Sequence, residues 1–147
     1  ESIDDIARFT VLERDYLLLG GGSNIIAGTV RKPVITLALI EGSSVTEDID
    51  RRQVAVSMPA WTRIGPLVDY LVANGLSGLE FMAGIPGTVG GAIVGNAAPK
   101  GHSWEGIVRR VIYAKEGSVL AAELWSAIKR AWCGEAQRAS AGAQGTG

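Results

Sequence analysis

Three consecutive glycines, Gly20-Gly21-Gly22, end the short apolar run at residues 16–19, and no regular element is expected to run through such a triplet. Glycine accounts for 20 of the 147 residues, about twice the ~7% of an average protein. The excess is clustered in the triplet, in residues 84–91 and in the C-terminal stretch. Glycine admits positive φ and lets a ligand or a second backbone approach the main chain closely. A chain of this kind must therefore fold around two tight loops.

The rest of the composition narrows the partners. Lys plus Arg total 14 and Asp plus Glu total 15, a balance with no electrostatic footprint for nucleic acid or an anionic membrane. The single cysteine, Cys133, cannot form an internal disulfide. Together with the single histidine, His102, it cannot build a structural zinc site. Cys133 reads as a small apolar residue on a late helix. No segment reaches the ~18 apolar residues of a membrane span. The opening Glu1-Ser2-Ile3-Asp4-Asp5 is no signal peptide, and without an initiator Met a trimmed start is expected. The length suggests one domain.

Along the chain, Ser2 and Asp5 resemble a capping box ahead of a short helical face at Ile3, Ile6 and Ala7. Residues 16–19 read as a buried strand, resumed at Ile25-Ile26. Residues 34–38 form another strand candidate. Residues 45–49 and 54–58 flank Asp50-Arg51-Arg52 as a hairpin. Ile64, Leu67, Val68, Leu71 and Val72 follow helical spacing, with Asn74-Gly75 as the stop. Residues 107–114 and 118–122 flank Glu116-Gly117, a second hairpin signal. Leu124, Ile128, Ala131 and Trp132 lie on one helical face, and residues 134–147 have nothing to bury and are expected to be disordered. The class is α+β: short mixed strands with hairpins and flanking helices. A doubly wound β-α-β rhythm is not sustained.

Chemistry concentrates in the glycine loops. In Leu19-Gly20-Gly21-Gly22-Ser23-Asn24-Ile25, successive backbone N–H groups can form an anion-binding nest, with Ser23 and Asn24 adding side-chain donors. Neither the G-x-G-x-x-G fingerprint nor the phosphate loop ending in Lys-Ser/Thr fits, because Ile25 and Ser23-Asn24 occupy the deciding positions. A tight turn between strands explains the triplet equally well. In Gly84-Ile85-Pro86-Gly87-Thr88-Val89-Gly90-Gly91-Ala92, Pro86 fixes one backbone angle, Gly87 frees the next, and Gly90-Gly91 clear the backbone of side chains. This uncharged segment suits a flat or phosphorylated ligand lying on main chain, or a close crossing of two elements.

Taken together, Gly20-Gly21-Gly22-Ser23-Asn24 and the run Gly75-Leu76-Ser77-Gly78-Leu79-Glu80-Phe81-Met82-Ala83-Gly84-Ile85-Pro86-Gly87-Thr88-Val89-Gly90-Gly91-Ala92-Ile93-Val94-Gly95-Asn96-Ala97 resemble two signatures of the UDP-N-acetylenolpyruvoylglucosamine reductases. The resemblance covers roughly residues 2–123. It implies an FAD-binding domain of the vanillyl-alcohol-oxidase (PCMH) type over residues 1–133, truncated and lacking the substrate domain. It further implies that Gly20, Gly21, Gly22, Ser23 and Asn24 wrap the FAD pyrophosphate through backbone amides. Ile85, Gly87, Thr88, Gly90, Gly91 and Ala92 would run along the flavin and its ribityl-phosphate arm, with Asn96 nearby. In that family NADPH reduces FAD and the flavin passes hydride to the enolpyruvyl group of a UDP-sugar, a step of peptidoglycan precursor synthesis in the bacterial cytoplasm. A serine protonates the intermediate, helped by a glutamate.

The sequence departs from the family pattern in three places. After Asn96 it reads Ala97-Ala98-Pro99-Lys100-Gly101, with Lys100 where an aromatic residue is usual. Arg130 has no Tyr before it, so the family's Tyr-Arg substrate contact is not carried over. No residue matches the serine and glutamate, so no catalytic residue is assigned and the chain alone is expected to be inactive. His102 reads as an exposed loop residue and Glu80 as a structural one that bonds loop amides. Two other readings stay open, an FAD domain of another flavin oxidase or dehydrogenase and a remnant that binds no ligand.

Overall fold

The computed structural model describes residues 3–12, 15–37, 45–48 and 53–122. They divide between two compact units, Glu1–Arg14 with Glu105–Gly147, and Asp15–Trp104. The expected late helix and the tail at 134–147 lie outside the described residues. Among those described, no helix is long and apolar enough to cross a membrane.

The first unit packs helix α1 (Ile3–Leu12) on a hairpin of β5 (Val111–Lys115) and β6 (Ser118–Ala122). Ala7 is buried on the helix face. Lys115 pairs with Ser118, so Glu116-Gly117 forms a two-residue turn. Both turn residues have positive φ, 49° and 79°, the signature of a type I′ turn, whose twist matches that of the strands it joins. The turn is tied to the helix because the Gly117 N–H donates to Thr10 Oγ1 at 3.2 Å. The first strand of the hairpin begins at Val111, four residues later than the apolar pattern suggests, and Ile107 is exposed.

The second unit carries both glycine loops. Strand β1 (Leu17–Leu19) pairs in parallel with β2 (Val34–Thr36), while β3 (Val45–Asp48) and β4 (Val54–Ser57) form the expected antiparallel hairpin. The turn residues 49–52 lie outside the described residues. Two expectations fail here. Residues 17–19 do form a strand, but it is not buried, with Leu18 61% exposed. Residues 25–26 form no strand, and Ile26 is fully exposed. Apolarity alone does not bury a strand: a two-stranded pair needs a covering layer.

Helix α2 (Ile64–Ala73) buries Ile64, Leu67 and Val68. Val72 is exposed, because eight residues carry it about 80° round the helix from Ile64. The helix ends where Asn74-Gly75 predicts. Gly75 has φ 67°, its N–H bonds Val72 O, and the Leu76 N–H bonds Leu71 O at 2.9 Å. These paired bonds make a Schellman motif that satisfies carbonyls otherwise left open at a helix end. A 3-10 turn (Glu80–Met82) and the short helix α3 (Val89–Val94) complete the unit around a core of Ile64, Leu67, Leu79, Met82, Val89 and Trp104.

Candidate functional site

The two glycine loops meet. Ser23 Oγ donates to Pro86 O at 3.2 Å, across 63 positions of sequence. A Cβ placed on Gly21 would lie 3.2 Å from Gly87 Cα, and one on Gly20 would lie 2.9 Å from Thr88 Oγ1. A Cβ on Gly87 would in turn lie 3.0 Å from Ser23 Oγ. Main chain therefore faces main chain, at a separation that side chains on either loop would push apart. Glycine is needed at Gly87 for a second reason, since its φ is 127°.

The second loop is held rigidly from behind. Pro59-Ala60-Trp61-Thr62-Arg63 leads into α2 and runs antiparallel to the loop, with Arg63 directly opposite Thr88. The Ile64 N–H bonds Gly87 O at 3.1 Å, the Val89 N–H bonds Thr62 O at 2.9 Å, and the Gly90 N–H bonds Ala60 O at 2.7 Å. Thr88 then caps α3, its Oγ1 accepting from the Gly91 N–H at 3.3 Å.

These contacts sort the backbone donors. The N–H groups of Gly21, Gly22, Ser23 and Asn24 have no acceptor among the described residues. Neither have those of Gly87 and Thr88. Thr88 is only 6% exposed, and its nitrogen lies 3.7 Å from the Cβ position of Gly21. A buried N–H left without a partner is costly and rare. Open amides thus lie on both of two loops in contact, an arrangement that fits an anionic ligand on main chain.

The expected site residues thus separate into two groups. Gly20, Gly21, Ser23, Gly87, Thr88 and Gly91 come together at the loop contact. Gly22 and Asn24 belong to the same exposed turn. Gly90 is committed to packing, because a Cβ there would meet Ala60 Cβ at 2.8 Å, and its amide is already bonded. Ala92 is buried in the core and Ile85 is half-buried. Asn96 lies beyond the C-terminal end of α3 with φ 44°. Sequence reasoning missed residues 59–63 as the support of the site. Their one local sign is the small residue Ala60, which acquires meaning only opposite Gly90.

Glu80 has a structural role, its carboxylate accepting from the Gly78 N–H at 2.7 Å. Its carboxyl is held below the ordinary carboxylate range by its own backbone N–H and then by that of Gly78. His102 is exposed and stacks on Phe81 at 4.8 Å between ring centroids. Trp104 meets Phe81 edge-on and donates from Nε1 to Ala97 O at 3.0 Å. The segment after the second loop is thereby fastened to the core. Lys100 lies exposed within it.

The chain belongs to the family described as FAD binding domain, which matches residues 2–116. The resemblance drawn from the loops is also borne out. The chain is 35% identical over 107 residues to the UDP-N-acetylenolpyruvoylglucosamine reductase of Geobacter metallireducens, covering 71% of this chain and 34% of that protein. To the enzyme of the same name from Chloroherpeton thalassium it is 32% identical over 121 residues, covering 81% of this chain and 37% of that one. The fold matches the crystal structure of UDP-N-acetylenolpyruvylglucosamine reductase from Thermus caldophilus with a TM-score of 0.61 and 24% identity, over 86% of this chain and 44% of that one. The chain spans about a third of the length of the curated relatives it matches.

Proposed function

We propose that this chain is the FAD-binding portion of a UDP-N-acetylenolpyruvoylglucosamine reductase and holds the cofactor on the backbone of its two glycine loops. The observation that carries this reading is the meeting of those loops, with the amides of Gly21 to Asn24 and of Gly87 and Thr88 free of acceptors among the described residues. Gly20, Gly21, Gly22, Ser23 and Asn24 would cradle the diphosphate. Gly87, Thr88 and Gly91 would form the opposing wall, with Ile85, Ala92 and Asn96 flanking it and Gly90 locking the wall to Ala60. Bound FAD supplies hydride transfer, and the protein supplies binding and orientation.

In the complete enzyme the reaction would be NADPH-dependent reduction of UDP-N-acetylglucosamine-enolpyruvate to UDP-N-acetylmuramate, a cytoplasmic step toward peptidoglycan. The 147 residues alone hold no counterpart of the family's serine proton donor, so they are expected to bind FAD without turnover. Titration of the purified chain with FAD, followed by flavin absorbance and fluorescence, tests the binding. A saturable spectral change is expected, and its absence at excess FAD would overturn the reading. NADPH-dependent loss of the enolpyruvyl substrate would show that the expected inactivity is wrong.

A further inference from the structure

We propose that Arg63 is a specificity-determining residue of this site, a cationic partner for the diphosphate seated on the glycine amides. The inference rests on the FAD reading above and deepens it. Arg63 stands directly opposite Thr88 in an antiparallel bridge. The bonds flanking that bridge run from the Ile64 N–H to Gly87 O and from the Val89 N–H to Thr62 O. Arg63 and Thr88 therefore form the non-hydrogen-bonded kind of pair, in which the two side chains lie closest. Directly opposed residues project from the same face. Thr88 directs its Oγ1 to the place where Gly20 would carry a Cβ, so Arg63 leaves the bridge on the face that carries the first glycine loop.

Its surroundings leave its charge available. Arg63 is exposed and has no carboxylate partner among the described residues, whereas Lys32 is paired with Asp15. Arg63 also occupies the N-cap of α2 without making a side-chain cap bond. Ser, Thr, Asp or Asn is preferred at that position, where Arg adds nothing to the helix. The glycine loops themselves contain no cation. Arg63 is the cation that the bridge holds against the second loop, and guanidinium geometry suits the oxygens of a diphosphate held on neutral amides.

The test compares the wild-type chain with R63Q and R63K against FAD, riboflavin and inorganic pyrophosphate, with thermal melts confirming that the variants are folded. R63Q is expected to weaken FAD roughly ten-fold, between the effects of an exposed and a desolvated charge pair. Riboflavin affinity should be unchanged, R63K should lose less, and added salt should narrow the difference between wild type and R63Q. Equal FAD affinity in wild type and R63Q, or an equal loss for riboflavin, overturns the role of Arg63 while leaving FAD binding intact. If wild type binds pyrophosphate in an Arg63-dependent way but no flavin, the FAD reading falls and the anion partner stands. If wild type binds none of the three, both fall.

Discussion

Replacing Gly90 by alanine tests whether the second loop is a wall braced from behind. The new Cβ would lie 2.8 Å from Ala60 Cβ and 3.0 Å from Ala60 O. Neither neighbour can rotate away, and the Gly90 N–H is bonded to that same carbonyl at 2.7 Å. Overpacking of this kind costs roughly 1–3 kcal/mol. The gain from putting alanine into the first turn of α3 offsets at most ~1 kcal/mol of it. With that offset in full, a net loss of up to about 2 kcal/mol is expected. Gly65 provides the control, since it lies in the first turn of α2 with no atom beyond its chain neighbours near its Cβ position. There the new Cβ meets only the ring of the following Pro66, which offsets the gain from alanine, so little net change is expected. One kilocalorie moves the midpoint of a chain of this length by roughly 2–4 °C, so thermal melts should separate G65A, near wild type, from G90A below it. If G90A melts with wild type, Ala60 does not brace the loop. If G65A falls as far as G90A, the cost belongs to helical glycine in general and not to the crossing.

Three further outcomes follow from the same geometry. G21A places a Cβ 3.2 Å from Gly87 Cα, against backbone alone, and should weaken FAD by an order of magnitude in a flavin titration while moving the melting midpoint less than G90A does. Glu80 has a depressed carboxyl pKa, first through its own backbone N–H and then through Gly78. The stability it adds is therefore complete above its ordinary 4.5 and is lost as pH falls through the lower folded value; E80Q should flatten the midpoint-versus-pH curve in that acid window. W104F removes the Nε1 bond to Ala97 O and part of a buried ring, which should cost about 1–3 kcal/mol by urea denaturation.

Where the sequence speaks plainly, the conformation is decided within a few residues. Asn74-Gly75 stops α2 because a positive φ there completes the Schellman bonds to Leu71 and Val72. Glu116-Gly117 turns β5 into β6 with both residues at positive φ, which Gly117 adopts at no steric cost. The same logic marks Gly20 to Gly22 and residues 84–91 as places where backbone comes close to something. It cannot say what that something is, because the answer depends on residues distant in sequence. Gly20 and Gly21 face Thr88 and Gly87, while Gly90 faces Ala60. Of the two alternatives open for these loops, close packing is realised at all three glycines, and ligand contact is the role proposed for the amides left open. Burial was illegible for a related reason: residues 17–19 have the composition of a core strand, but exposure depends on what covers the pair they form with residues 34–36. A single sequence records the need for glycine at each position, and only the pairing of the loops shows which glycine leaves its amide without an acceptor among the described residues and which spends it on the fold.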